Sequence, residues 1–475
     1  MNKHYIFGTR GNISSQTRYD YNSPGAGFVT EKEWKEQLIL QIFEINSGFV
    51  LPYWYKDEYI SVIESDEGGC YINSDKQVAE LWERDNGKQP GGERNIPLYF
   101  KASLPEQGNY RVTVAFTART DEPEFKLFVG RRHLMWFGAI KKGQKFKQTF
   151  TVNLCDVIPN SKGTVYTDTT LDIAVTGRCP VLGEIWIEKT VCPTIYLAGD
   201  STMADYGADY PYHPAACYGG WGQALAAWLN GSVAVCNQAH NGRTTETFCS
   251  EGHFDIVKKH ICSGDYYMMQ FGHNDQKHVH LQADNGYPVN LSRFVQEIRE
   301  KGAFPVIITP IARNTWKETD EGVTYNDLLY DHSEACFKVG RELGVPVLDI
   351  HAASMEDIKR LGRDASKVYY YPGDYTHTND YGAYRAAGYV AYSIQQIARD
   401  FPEYHLLADA VTESFGIWEP QGNTPLLKKP ARLSDAKDAD SADNSDSEDH
   451  QAEKDGSDGL SQLLEAVRQA RQQDS

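Results

Sequence analysis

The stretch Ile195-Tyr-Leu-Ala-Gly-Asp-Ser201-Thr-Met203 runs from an apolar block straight into a small, polar turn. An apolar run closed by glycine reads as a buried strand that stops abruptly, leaving a serine hydroxyl at its carboxyl end. The same rhythm continues downstream. Further strands are expected at Val233–Val235, Tyr266–Gln270, Pro305–Thr309 and Val345–Asp349. Amphipathic helices are expected between and after them, at Gly222–Leu229, Phe254–His260, Leu291–Lys301, Tyr325–Leu343 and Tyr381–Ala398. This alternation predicts an α/β unit over residues 193–405, a parallel sheet with helices on both faces and its ligand site at the strands' carboxyl ends.

The flanks read differently. Residues 1–190 alternate with a period of two: Tyr110, Val112, Val114 and Phe116 share one face, as do Phe146, Phe150, Val152 and Leu154, then Leu171, Ile173 and Val175. With turn clusters such as Pro105–Asn109 and Asn160–Gly163 between them, these segments predict an all-β sandwich. Residues 428–475 are rich in Ser, Asp, Ala and Glu, too polar to offset the entropy of ordering, so an acidic disordered tail is expected. A formal net charge of −18 excludes a phosphate-backbone or anionic-membrane partner as the main business of the chain. No apolar run reaches membrane-spanning length, and Met1–Arg10 does not read as a secretory leader. Nine cysteines, odd in number and without paired metal spacing, fit reduced thiols, so a cytoplasmic location is expected.

Three polar landmarks follow the Ser201 turn in order: Asn237-Gln-Ala-His-Asn-Gly242-Arg243-Thr, Gln270-Phe-Gly-His273-Asn274-Asp, and Asp374-Tyr-Thr-His377. Ser201 needs a base, since a free hydroxyl is a weak nucleophile. His377 supplies one, and Asp374, three residues earlier, is placed to hold its far ring nitrogen. Taken alone, that spacing also fits a capping Asp in a helical first turn. The Ser201 amide, the Gly242 amide and the Asn274 side chain are the expected oxyanion donors, against an ordinary turn glycine and a loop-capping amide. His273, His278 and His280 lack a further ligand at firm spacing, so the loop is read as polar, with neither metal nor cofactor expected.

Together, Gly199-Asp-Ser201-Thr, Asn237 to Arg243, Phe271 to Asp275 and Asp374 to His377 resemble the four blocks of the SGNH (GDSL-like) hydrolases. Within them, Tyr196 to Met203, Gly220-Trp221-Gly222 and the Phe-Gly-His-Asn-Asp form of the third block are most similar to the rhamnogalacturonan acetylesterases. The resemblance covers Pro193 to Ala398. It implies a flavodoxin-like three-layer fold, a serine O-acetylesterase without metal, and acetylated pectic glycan as substrate; the N-terminal sandwich resembles accessory domains of bacterial members. Arg243 and Lys277 are expected to meet galacturonate carboxylates. His273 and Trp221 complete the expected substrate contacts, with packing as the other reading of Trp221. The segments Ala204–Tyr212 and Gln276–Asp284 are read as branch-specific walls of the site. The alternatives are an esterase or thioesterase acting on acetylated xylan or lipid, and a glycan-binding protein.

Overall fold

The structure of the chain, a computed structural model, describes residues 2–20, 23–29, 60–74, 98–130, 133–158, 165–177, 180–206, 217–320 and 322–412. The acidic segment 428–475, the turn at Asn160–Gly163 and part of the wall at Ala204–Tyr212 lie outside the described residues.

Five parallel strands form the sheet of the α/β unit, in the spatial order Ala234–Asn237, Thr194–Gly199, Tyr266–Gln270, Phe304–Ile308, Val347–Leu348. The strand first in sequence therefore lies second in space. The chain leaves it in one direction and later returns to pair on its other side, which creates a topological switch point between Thr194–Gly199 and Tyr266–Gln270. Ser201 and Asn274 follow these two strands directly.

Both faces of the sheet are apolar because alternate side chains point to opposite sides. Ile195, Leu197, Met268, Val306 and Ile308 pack with Trp221, Leu225, Trp228, Val390 and Ile394. Tyr196, Ala198, Tyr267, Met269 and Ile307 pack with Phe254, Phe294, Val295, Cys336 and Val339 on the other face. The helices supplying these residues include His253–His260, Gly286–Glu300, Tyr330–Leu343 and Asp380–Asp400. The last is started by Asn379, whose side chain accepts from the Gly382 amide.

Several boundaries differ from the sequence reading. The helix expected over Gly222–Leu229 is a short α-turn, Trp221–Ala224, followed by a 3-10 turn, Leu225–Trp228. Three others have a plain local cause. The helix expected from Leu291 begins at Gly286, with Pro288 tolerated in the first turn, where its missing N–H has no helical partner. The helix expected from Tyr325 begins at Tyr330, and Tyr325 belongs to a hairpin of Trp316–Thr319 with Gly322–Tyr325. The strand expected over Val345–Asp349 shrinks to Val347–Leu348, because the Asp349 side chain accepts from the Ala352 amide at 3.1 Å and caps a further helix, Ile350–Ala365. Among the described residues no helix is long and apolar enough to cross a membrane.

Before this unit lie two larger antiparallel sheets. In one, Gly108–Ala118 pairs with Pro180–Lys189 and Phe146–Leu154. In the other, Thr170–Val175 pairs with Leu98–Ser103 and Glu122–Val129, and His133–Ile140 forms an edge. Their aromatics meet: the Phe125 ring lies 6.1 Å from Phe116 and 5.4 Å from Phe146. The apolar cluster they form continues onto one face of the parallel sheet.

Candidate active site

Ser201 sits in a turn that its neighbours hold from several sides. Gly199 begins it: a Cβ there would lie 2.6 Å from the Gln270 carbonyl, so only glycine lets the two strands end this close together. Asp200 is fully buried and accepts from the Thr202 amide and hydroxyl at 2.9 and 2.8 Å, which closes the turn. Asn237 donates through its side-chain amide to the Met203 carbonyl and to Asp205, at 2.8 and 2.7 Å. The Tyr206 hydroxyl donates to the Ser201 carbonyl at 2.8 Å. Thus the strand end, the second block and the loop after the turn converge on one residue.

The Ser201 Oγ lies 2.9 Å from His377 Nε2, and His377 Nδ1 lies 2.8 Å from Asp374 Oδ2. Asp374 also accepts from the Thr376 and His377 amides at 2.7 and 3.0 Å. Partial burial works to raise its pKa, but the bonds from the His377 ring and these two amides outweigh that and hold the carboxyl well below the usual range. An ionised, acceptor-only carboxylate at Nδ1 keeps the proton there, which leaves the Nε2 lone pair facing the serine hydroxyl.

Gly242 has φ +77°, a left-handed conformation, and a Cβ built there would meet nothing within 4 Å. Backbone conformation, and not crowding, therefore selects glycine. Among the described residues, neither the Ser201 nor the Gly242 amide has an acceptor. The Asn274 Nδ2 donates to the Arg243 carbonyl at 3.1 Å, which leaves its second hydrogen for another acceptor. Its Oδ1 accepts from Lys277 Nζ at 2.8 Å, and this fixes which end of the amide faces which way. Asp275, buried, ties the two loops together by accepting from the Thr245 amide, the Thr245 hydroxyl and the Gly272 amide. Burial pushes its carboxyl up to about 6.

Of the four remaining sequence-predicted contacts, three stand elsewhere than expected. Trp221 has no exposed surface, and its indole N–H donates to Gln270 at 2.7 Å. Gln270 in turn donates to Thr202, so Trp221 supports the Ser201 turn from beneath and is not a sugar platform. His273 is also buried, with Nε2 donating to the Ile311 carbonyl at 2.9 Å and Nδ1 directed at Asp200. Burial lowers its pKa, and its place behind the turn keeps it out of reach of substrate. The Arg243 guanidinium is buried against Glu251, and Lys277 is engaged by Asn274. Arg243 is therefore not displayed as an open cation, whereas Lys277 is exposed and, among the described residues, bonds only the neutral Asn274 amide. His280 pairs with Glu246, far in role from the buried His273, and among the described residues no three ligand-type side chains could hold a metal ion.

One feature escaped the sequence reading. Tyr218 stacks on Tyr371 at 3.8 Å between ring centroids and on Tyr206 at 5.4 Å, and it meets the His377 ring edge-on at 5.8 Å. Tyr375, next to Asp374, is 55% exposed. The chain's 29 tyrosines were the only available signal, and a count does not say which rings meet.

Parts of the chain are similar to known proteins. Residues 197–385 match the GDSL-like lipase/acylhydrolase family. The chain is 33% identical over 216 residues to the rhamnogalacturonan acetylesterase RhgT of Bacillus subtilis (strain 168), covering 43% of this chain and 90% of that one. It is 29% identical over 222 residues to the rhamnogalacturonan acetylesterase of Emericella nidulans, covering 42% of this chain and 82% of that one. Among solved structures, protein YxiM of Bacillus subtilis aligns over 84% of this chain and 98% of its own, at 20% identity and a TM-score of 0.41. A matched family profile, the 33% identity to RhgT over 90% of its length, and a serine facing a histidine at the switch point lead to one statement: the chain belongs to the GDSL-like (SGNH) lipase/acylhydrolase family and is a serine carboxylic ester hydrolase.

Proposed function

We propose that the chain removes O-acetyl groups from a carbohydrate, with Ser201 as nucleophile, His377 as general base and acid, and Asp374 as the carboxylate that orients the imidazole. The observation that carries this reading is the unbroken line from Ser201 Oγ through His377 to Asp374, with contacts of 2.9 and 2.8 Å. Ser201 Oγ attacks the acetyl carbonyl carbon while its proton passes to Nε2. The carbonyl oxygen becomes an oxyanion that accepts from the Ser201 amide, the Gly242 amide and the second Asn274 Nδ2 hydrogen. As the intermediate collapses, the C–O bond to the sugar breaks and the sugar oxygen takes the proton from Nε2. Water then attacks the acetyl-serine, gives a proton to Nε2, and acetate leaves as Ser201 is reprotonated. No step calls on a metal.

The substrate reading is a pectic glycan of the rhamnogalacturonan type. It is supported by the names of the two relatives and by a rim of Tyr218, Tyr371, Tyr375, Asn274 and Lys277, which suits a hydroxylated ring better than a long alkyl chain. Lys277 enters through its hold on Asn274, and Arg243 through its buried place in the Gly242 loop. The two larger antiparallel sheets are read as one β-sandwich over residues 1–190, preceding a hydrolase unit over 193–405, on the strength of their shared aromatic core. Acetate release from acetylated rhamnogalacturonan, homogalacturonan and xylan, beside short- and long-chain synthetic esters, tests the substrate. Fastest cleavage of long-chain esters overturns the carbohydrate reading, and acetylated xylan outperforming every pectic substrate overturns only its pectic part.

A further inference from the structure

The loop that leaves the Ser201 turn is gripped by a residue from the antiparallel region. His133, the first residue of the edge strand His133–Ile140, places Nε2 3.0 Å from both carboxylate oxygens of Asp205. Both side chains are almost entirely buried. An ionised carboxylate only accepts, so the imidazole N–H is the donor. Asn237, at the carboxyl end of its parallel strand, donates to the same carboxylate and to the Met203 carbonyl. The residue after Asp205 is Tyr206, whose hydroxyl caps the Ser201 carbonyl and whose own carbonyl accepts from Gln223 at 2.8 Å. The path from His133 to the reacting serine is therefore short: imidazole to Asp205, one peptide link to Tyr206, and one hydrogen bond to Ser201.

Around this contact the two regions are not packed solid. A cavity of about 30 Å³ is lined by Val129, His133 and Met135 from one side and Val235, Cys236 and Asn237 from the other. This is room for one or two waters. The gap lies beside the His133 imidazole, which meets the loop through the Asp205 bond.

We propose that His133 is a positioning residue for the nucleophile turn, so that the antiparallel region is a working part of the esterase site. The inference rests on the assignment of Ser201 as nucleophile. It is tested on the full chain by His133→Ala, His133→Gln and Asp205→Asn, with Thr151→Val as a junction control. Thr151 donates to the Gly231 carbonyl across the same junction, away from the site. The measurements are kcat and KM on p-nitrophenyl acetate, the rate of Ser201 phosphorylation by diethyl p-nitrophenyl phosphate, and Tm. A displaced reacting group costs up to ~10²-fold. His133→Ala should accordingly lower kcat and the phosphorylation rate by about 10–100-fold, leaving KM nearly constant. Gln, which still donates, should recover much of the loss, and Thr151→Val should lower Tm without that kinetic signature. Should His133→Ala fail to fold, Asp205→Asn and His133→Gln decide in its place by the same two rates. Folded variants with wild-type kcat and labelling, or activity lost only in proportion to unfolded protein, would overturn the proposal. Wild-type protein labelled elsewhere than Ser201 would instead overturn the nucleophile assignment on which it stands.

Discussion

At the scale of single residues, Ser201, His377 and Asp374 form a unit in which each depends on the next, so their losses should not add. Ser201→Ala or His377→Ala should each reduce turnover of a synthetic acetyl ester by about 10⁴-fold or more, and the double variant should fall little further. Asp374→Asn should be damaging too, since an amide cannot enforce the Nδ1–H tautomer as a carboxylate does. Near-normal turnover by Ser201→Ala would remove the nucleophile assignment. Asn274 is a different kind of participant, because its second amide hydrogen matters only once charge appears on the carbonyl oxygen. Asn274→Ala should lower kcat by about 10²–10³-fold with little change in KM. A matching fall in Tm with normal turnover per folded molecule would show the amide to be a loop cap. Removing Lys277 Nζ from Asn274 by Lys277→Met should reproduce part of the Asn274→Ala defect in kcat, since the carboxamide would lose the bond that orients it.

Individual elements show where local reading succeeds and where it stops. Tyr266–Gln270 is a strand over the span expected, because an apolar run between turns is a local signal. The helix Ile350–Ala365 was not legible, although its cap was in plain view. Asp349 reads equally well as the last residue of a strand, and what decides is that its side chain turns back onto the Ala352 amide. Gly362, with φ +79°, also breaks the helical conformation inside the same segment, so the helix is kinked there. Asp349→Ala should therefore destabilise the fold by about 1 kcal/mol through the lost cap. That corresponds to a fall in Tm of about 2–4 °C for a unit of this size. Differential scanning calorimetry beside an activity assay checks it, and an unchanged Tm would show that the cap carries no stability.

Across the whole molecule, the antiparallel region and the α/β unit meet through buried polar contacts. Asn109 donates to Thr194 at 2.9 Å, and Gln238 donates to the Asp156 carbonyl at 2.8 Å. The Asp156 carboxylate, almost fully buried, receives Lys259 and His260 at 2.5 and 2.7 Å. Burial opposes its charge, but these donors, with Gln107 and Thr167, outweigh burial and hold its pKa well below the ordinary carboxylate range. A depressed carboxylate contributes stability above its unfolded pKa of about 3.9 and loses it as pH falls through the folded value. Asp156→Asn should thus be less stable than wild type at pH 7, with the gap narrowing below about pH 4. Urea unfolding at pH 7, 5 and 3.5 measures the gap, and a difference independent of pH would mean that Asp156 acts through shape alone.

The sequence by itself determined the period of most elements and the four polar blocks, three of them just beyond strands, because burial alternation and turn chemistry are local properties. It therefore predicted the parallel sheet and the gathering of Ser201, Gly242, Asn274, Asp374 and His377 on one rim. Only the tertiary structure decided which polar side chains face the reacting centre and which stand behind it. His273 and Arg243 belong to the same blocks, yet both are buried, as is Trp221 beside them, since the loop that carries a residue does not dictate the side on which its chain will lie. The Tyr206–Tyr218–Tyr371 stack and the His133–Asp205 contact join segments distant in sequence. Such pairs exist only after sheets and loops have closed on one another, and no local pattern of residues encodes that closure.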